Sequence, residues 1–138
     1  MKYQVRKTTL DDIHKIMPYI SESGKVESDC LAETDESKVF LVDGTPMMII
    51  SLTYLPGGRD DVEVGIWGLF HKDLYKHTKQ LVRVCNDLLF DRAGFVFYAL
   101  IDENVPKFIR FAKFFGFVRT EIVERHDRKL YHMYVKRT

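Results

Sequence analysis

The sequence predicts an α/β domain, a mixed and mostly antiparallel sheet with flanking helices. Three observations carry this. Asp43-Gly44 lies between two β-rich runs, Lys38–Val42 and Met47–Tyr54, and an Asp-Gly pair there is a strong two-residue hairpin signal. A long helical pattern from about Leu74 to Arg92 precedes the continuous apolar run Phe95-Val96-Phe97-Tyr98-Ala99-Leu100-Ile101, which suits a strand buried on both faces after a crossover helix. A shorter helix stopped by Gly116 then leads into two more strand patterns.

Each element follows from local chemistry. Tyr3–Lys7 alternates and reads as a short strand. Thr9 stands three residues before Asp12, as in a capping box. Ile13, Ile16, Met17 and Ile20 recur at helical spacing, so Asp11–Ile20 forms an amphipathic helix. Pro18 removes a backbone bond inside it, and a kink or early end is expected there. Residues 21–37 are polar and acidic, with a helical turn expected around Asp29–Thr34. Pro56-Gly57-Gly58 makes a second turn, so the middle of the chain is an antiparallel meander. Its third run alternates strictly, placing Val62, Val64 and Ile66 on one face and Glu63, Gly65 and Trp67 on the other.

Leu74, Thr78, Leu81, Val82, Cys85, Leu88 and Leu89 mark the long helix, and Gly94 supplies a stop. The next helix runs from Val105 or Pro106 to Phe115, with Phe108, Phe111, Ala112 and Phe115 as its inner stripe. Phe117–Arg125 and Leu130–Lys136 read as the last two strands, joined by a polar turn at His126-Asp127-Arg128-Lys129.

Composition narrows the function classes. At 138 residues the chain is read as one domain, 1–138, large enough to bury a core. With 46% hydrophobic residues it is too apolar for a disordered chain. No stretch approaches the ~20 apolar residues of a membrane span. The start Met1-Lys2-Tyr3-Gln4-Val5-Arg6 has no apolar signal region, and Cys30 and Cys85 show neither a disulfide framework nor metal spacing. A reduced, cytoplasmic protein without a metal site is expected.

The net charge of +1 hides two poles. Residues 22–36 hold Glu22, Glu27, Asp29, Glu33, Asp35 and Glu36 against Lys25 alone. Residues 106–138 hold nine Lys/Arg against Glu121, Glu124 and Asp127. Such poles steer charged ligands or are simply solvated faces. The basic residues are spread over a helix and a hairpin with no reader motif, so nucleic acid is not the expected partner.

The order of elements resembles the GNAT superfamily of acyl-CoA-dependent N-acyltransferases over nearly the whole chain. The sharpest local match is Asn104-Val-Pro-Lys107-Phe-Ile109-Arg110-Phe111-Ala-Lys113-Phe-Phe115-Gly116-Phe117, similar to that family's strand-ending Asn, short helix and Gly-Phe. Glu63-Val64-Gly65-Ile66-Trp67 resembles a Glu-Ile-Gly-Tyr-Trp segment of the branch that acetylates ribosomal-protein N-termini. The resemblance implies a single-domain GNAT-like fold. It also implies two parallel strands that splay apart for acyl-CoA, and an amine that attacks the thioester directly.

Carried over residue by residue, Glu63 takes the place of the general base. A strand carboxylate beside an apolar cleft suits that work, and a hairpin-paired Glu is the alternative. Trp67, Gly68 and Leu69 fall where backbone pairs with the pantetheine arm, or Trp67 is a core anchor. The family's phosphate loop, Gln/Arg-x-x-Gly-x-Gly/Ala, aligns with Asp73-Leu74-Tyr75-Lys76-His77-Thr78. Asp73 replaces the basic or amide residue there and serves as an N-cap, while Lys76 replaces the first glycine. Lys72, Lys76, His77 and Thr78 are therefore expected to hold phosphates by side chains. Asn104 binds the pantetheine or caps the Pro106 helix. The family's thiolate acid, a Tyr, falls at Ala112, leaving Tyr131 and Tyr134 as substitutes. His14, His126 and His132 show no partner pattern.

The implied function is acetyl transfer from acetyl-CoA, as cosubstrate, to an amine. The acidic segment favours a cationic acceptor such as a lysine, a protein N-terminus or a polyamine. The alternative is a catalytically degenerate GNAT fold that binds or builds. Ile109-Arg110-Phe111-Ala112-Lys113 loosely resembles small GNAT-like virion-associated proteins of short-tailed phages, and the partner is then a second copy or a virion protein.

Overall fold

In the computed structural model of the chain, residues 1–20, 34–56, 61–126 and 128–138 are described. They form β1 (Tyr3–Lys7), α1 (Leu10–Ile16), β2 (Glu36–Val42), β3 (Thr45–Tyr54), β4 (Val62–Phe70), α2 (Thr78–Cys85), β5 (Phe95–Asp102), α3 (Pro106–Phe114), β6 (Val118–His126) and β7 (Lys129–Arg137). One seven-stranded sheet has the order β1-β2-β3-β4-β5-β7-β6. The expected turn around Asp29–Thr34 and most of the acidic segment lie outside the described residues.

The chain divides into two compact units, Met1–Thr53 with Trp67–Ala93, and Tyr54–Ile66 with Gly94–Thr138. The first holds β1, β2 and most of β3. Asp43 and Gly44 take positive φ angles of 49° and 80°, and Val42 pairs with Thr45, which makes the two-residue hairpin turn that the Asp-Gly pair predicts. The β2–β3 register shifts between Phe40 and Leu41 at Pro46, a residue with no N–H for the ladder.

Thr9 caps α1 with a full capping box. The helix ends at Ile16 and gives way to a 3-10 turn, Met17–Tyr19, that contains Pro18, so the proline shortens the expected helix. Ile13, Ile16 and Ile20 pack with Val39, Leu41, Ile49 and Leu69 as the buried core of this unit.

The long helical pattern is three structures in series: a 3-10 turn Leu74–His77, then α2, then a π turn Asn86–Phe90. The buried residues explain this. Leu74 and His77 are three apart, the period of a 3-10 turn. Leu81, Cys85 and Leu89 recur every four, which outruns the 3.6 period and suits a wider turn at the end. Thr78, expected on the inner stripe, is therefore exposed, and His77 is buried in its place.

In the second unit β4 pairs β5 in parallel from Val62↔Phe95 to Gly65↔Tyr98, and β5 pairs β7 antiparallel. Val96 and Phe97 are adjacent and both fully buried, as expected for a strand covered on both faces. α3 ends as the glycine predicts. Gly116 has φ 85°, its N–H donates to Lys113 O, and the Phe117 N–H donates to Ala112 O, the paired bonds of a Schellman cap. Of the predicted stripe, Ala112 and Phe115 are buried. Along the edge strand β6, Thr120–Ile122 stand opposite Met133 alone. The Thr120 hydroxyl donates to Met133 O and accepts from the Ile122 N–H.

Candidate active site

In the first unit the end of β4 carries Trp67, Gly68 and Leu69. Trp67 is 49% exposed, so it is not the core anchor that its size suggests. Leu69 is 3% exposed and belongs to the α1 core, which leaves its backbone alone for contact with a ligand. A Cβ on Gly68 would lie 2.8 and 2.9 Å from the Phe70 ring and 3.2 Å from Ile50 Cδ1. The space that glycine leaves is taken by Phe70.

The turn after β4 is anchored on both sides. The His71 N–H donates to Met47 O, and the Lys72 N–H donates to Tyr19 O. His71 is buried and stacks on Tyr19, and its Nδ1 accepts from the Asp73 N–H at 3.0 Å. Burial holds this imidazole below its usual pKa, Lys72 and Lys76 add to the effect, and Asp73 opposes it. The ring is a neutral structural group. Asp73 takes the cap position of the 3-10 turn, but its carboxylate makes no cap bond and lies 3.8 Å from Lys76 Nζ instead. That is a correction to its expected role as an N-cap.

Lys72 and Lys76 are exposed, each with its ammonium over a tyrosine ring, Tyr19 and Tyr75 respectively. His77 points inward, edge-on to Tyr3 and 3.4 Å from its hydroxyl. The Thr78 hydroxyl is exposed and donates to Tyr75 O at 2.7 Å. The amides of Leu74 and Lys76 already donate to His71 O and Asp73 O. An anion at this turn would thus meet Lys72, Lys76 and Thr78 side chains, with His77 turned away from solvent.

In the second unit Glu63 is half-buried on β4. Its Oε1 accepts a 2.9 Å hydrogen bond from the Tyr98 hydroxyl of β5. Burial raises the Tyr98 pKa first, and the hydrogen bond and charge of Glu63 raise it further. Asn104 is exposed in the turn after β5, where its N–H donates to Asp102 Oδ1 at 2.9 Å. Val105 holds the cap position of α3, and Pro106 opens the helix. Asn104 is therefore neither the strand end nor the cap. Asp102, buried at the strand end, shapes the turn.

Two further features escaped sequence reasoning. Tyr98 was hidden as the one polar tip between Phe97 and Ala99. His132 does have partners: its Nδ1 meets Glu103, and its Nε2 lies 3.1 Å from an Arg119 guanidinium nitrogen. Only the strand pairing brings these three together. Of the substitutes for the missing thiolate acid, Tyr134 is 1% exposed, and its pKa is raised by burial and by Glu103. Among the described residues no group of three or more His, Cys, Asp or Glu is placed to hold a metal, and no helix is long and apolar enough to cross a membrane.

No family model and no curated sequence matches the chain. Solved structures do, and their fold is that of the GNAT acetyltransferases. Ard1 from Thermoplasma volcanium is 16% identical, with TM-score 0.72 over 99% of this chain and 97% of that one. The ribosomal-protein-S18-alanine N-acetyltransferase from Escherichia coli is 10% identical, with TM-score 0.73 over 97% and 92%. Arabidopsis thaliana Naa50, in complex with the bisubstrate analogue CoA-Ac-MVNAL, is 14% identical, with TM-score 0.66 over all of both chains.

Proposed function

We propose that this protein transfers the acetyl group of acetyl-CoA to an amine. Glu63 carries the reading: a half-buried carboxylate on β4 with one oxygen tied to Tyr98 and lone pairs left on the other. Such a group accepts the proton of a substrate ammonium. The freed amine adds to the thioester carbonyl carbon and the C–S bond breaks. The second nitrogen proton then goes to the departing thiolate. Lys72 and Lys76 supply charge for the phosphates, the Thr78 hydroxyl joins them by releasing Tyr75 O, Trp67 and the backbone of Gly68 and Leu69 face the pantetheine arm, and Asn104 meets its end. His77, buried against Tyr3, acts by holding the turn. The acidic residues of 22–36 favour a cationic acceptor. Within that segment Glu36 is already committed to Arg92, by 2.7 and 3.2 Å hydrogen bonds.

The test is acetyl-CoA titration by calorimetry, with CoA as control, followed by turnover on a panel of amines. Micromolar binding that weakens at least tenfold in Lys72→Ala/Lys76→Ala, together with turnover lost in Glu63→Gln while binding is kept, is the expected result. No binding up to millimolar acetyl-CoA rejects the proposal. It would favour the second reading, a GNAT fold kept for binding a protein partner. The turn without glycine and Ala112 in place of a tyrosine support that reading.

A further inference from the structure

The parallel register sets Glu63 opposite Val96, so Tyr98 lies two residues further along β5 on the same face of the sheet. A phenol is long enough to cover this diagonal, and its hydroxyl meets Oε1 at 2.9 Å. Two features separate this contact from a chance surface pair. Tyr98 is the only hydroxyl in the apolar run of β5, and it spends its proton on the one carboxylate of the alternating β4 stretch. The flanking charges also oppose one another: Arg137 and Asp61, 3.5 Å apart, act on Tyr98 with opposite signs, Arg137 the more strongly.

We infer that Tyr98 is a positioning residue, which fixes the rotation of the Glu63 carboxylate so that its second oxygen faces the acceptor nitrogen. The inference rests on Glu63 acting as the base proposed above. Tyr98 itself does not take the substrate proton. Burial and the adjacent carboxylate keep its phenol protonated at neutral pH, so it is a standing donor toward Glu63 and not a base. A terminal carboxylate torsion is broad and nearly two-fold, and a single donor on one oxygen removes most of that freedom. Orientation of this kind is worth on the order of 10–100-fold in rate, because small misplacements of reacting groups are costly.

The test is Tyr98→Phe, which keeps the ring and removes only the O–H. With wild type active on an amine, Tyr98→Phe should lower kcat about tenfold and leave the acetyl-CoA dissociation constant within twofold. KM for the amine should stay within twofold, so that the loss falls on kcat. In a Glu63→Gln background the same change should cost nothing further. A merely structural tyrosine would lower the denaturation midpoint without a change in kcat while the protein stays folded. Val135→Ala, at the β7 residue in register with Tyr98, supplies that control. An active wild type with an unchanged kcat in Tyr98→Phe overturns this inference and leaves the base assignment standing. A Glu63→Gln variant that keeps full activity overturns both.

Discussion

Asp12 offers the most direct measurement of how the first unit is held together. Its carboxylate is 2% exposed and accepts from the Thr9 N–H at 2.8 Å, the Thr9 hydroxyl at 2.9 Å and both Arg6 guanidinium nitrogens at 2.7 and 2.8 Å. Burial alone would raise its pKa, but the bonds from Arg6 and Thr9 prevail and the net shift is downward. Hydrogen bonds to a charged group contribute roughly 1.5–3 kcal/mol each, so the two from Thr9 give about 3 kcal/mol at the low end. Arg6 acts in the same direction. Asp12→Ala should therefore lower the unfolding free energy by about 3 kcal/mol at pH 7, roughly 10 °C in Tm for a chain of this size.

The pH dependence follows from the sign of the shift. A lowered carboxyl pKa stabilises the fold above the unfolded value of about 3.9, and that contribution disappears as pH falls through the lower folded value. Urea titrations of wild type and Asp12→Ala at pH 7, 5, 4 and 3 should show a full gap at the first two. The gap should then narrow steadily at the last two. A gap under about 1 kcal/mol at pH 7, or one that stays constant down to pH 3, would refute the account.

Two other outcomes follow from the packing. Gly68→Ala should destabilise by about 1 kcal/mol, because overpacking against Phe70 outweighs the few tenths gained from a stiffer unfolded chain. Gly68→Ala/Phe70→Leu should recover most of the loss in the same denaturation assay, and a stabilised single variant would contradict the contact. Burial pushes the Cys85 thiol up to about 12, so in a Cys30→Ser variant no thiol should react with a disulfide reagent at pH 8 until denaturant is added. Rapid labelling of the native variant would contradict this.

What was legible in the sequence is what local chemistry decides alone. Asp43-Gly44, the Thr9–Asp12 box, Pro18 and Gly116 each act within a few residues, and each element formed where they placed it. The register of Glu63 with Tyr98, and the meeting of His132 with Glu103 and Arg119, are set by pairing between strands distant in sequence. Periodicity read the long helix as uniform because each of its three turn types differs from the next by less than one residue per turn. That difference decides His77 against Thr78. Asn104 was misplaced for a related reason: Asp102 forms the turn through its side chain, and the cap falls one residue later.

The irregularity in β6 bears on how this protein behaves at high concentration. The outer strand of a sheet presents a row of backbone donors and acceptors that invites another chain, and Val118, Ile122 and Val123 are exposed there. With three residues set against one, that row loses its regular repeat between Arg119 and Val123. An incoming strand in step with the first half is out of step with the second. The Thr120 hydroxyl, by taking the Ile122 N–H, removes one of the donors that such a strand would need. The register shift and the Thr120 hydroxyl together make this margin a poor template for an added strand.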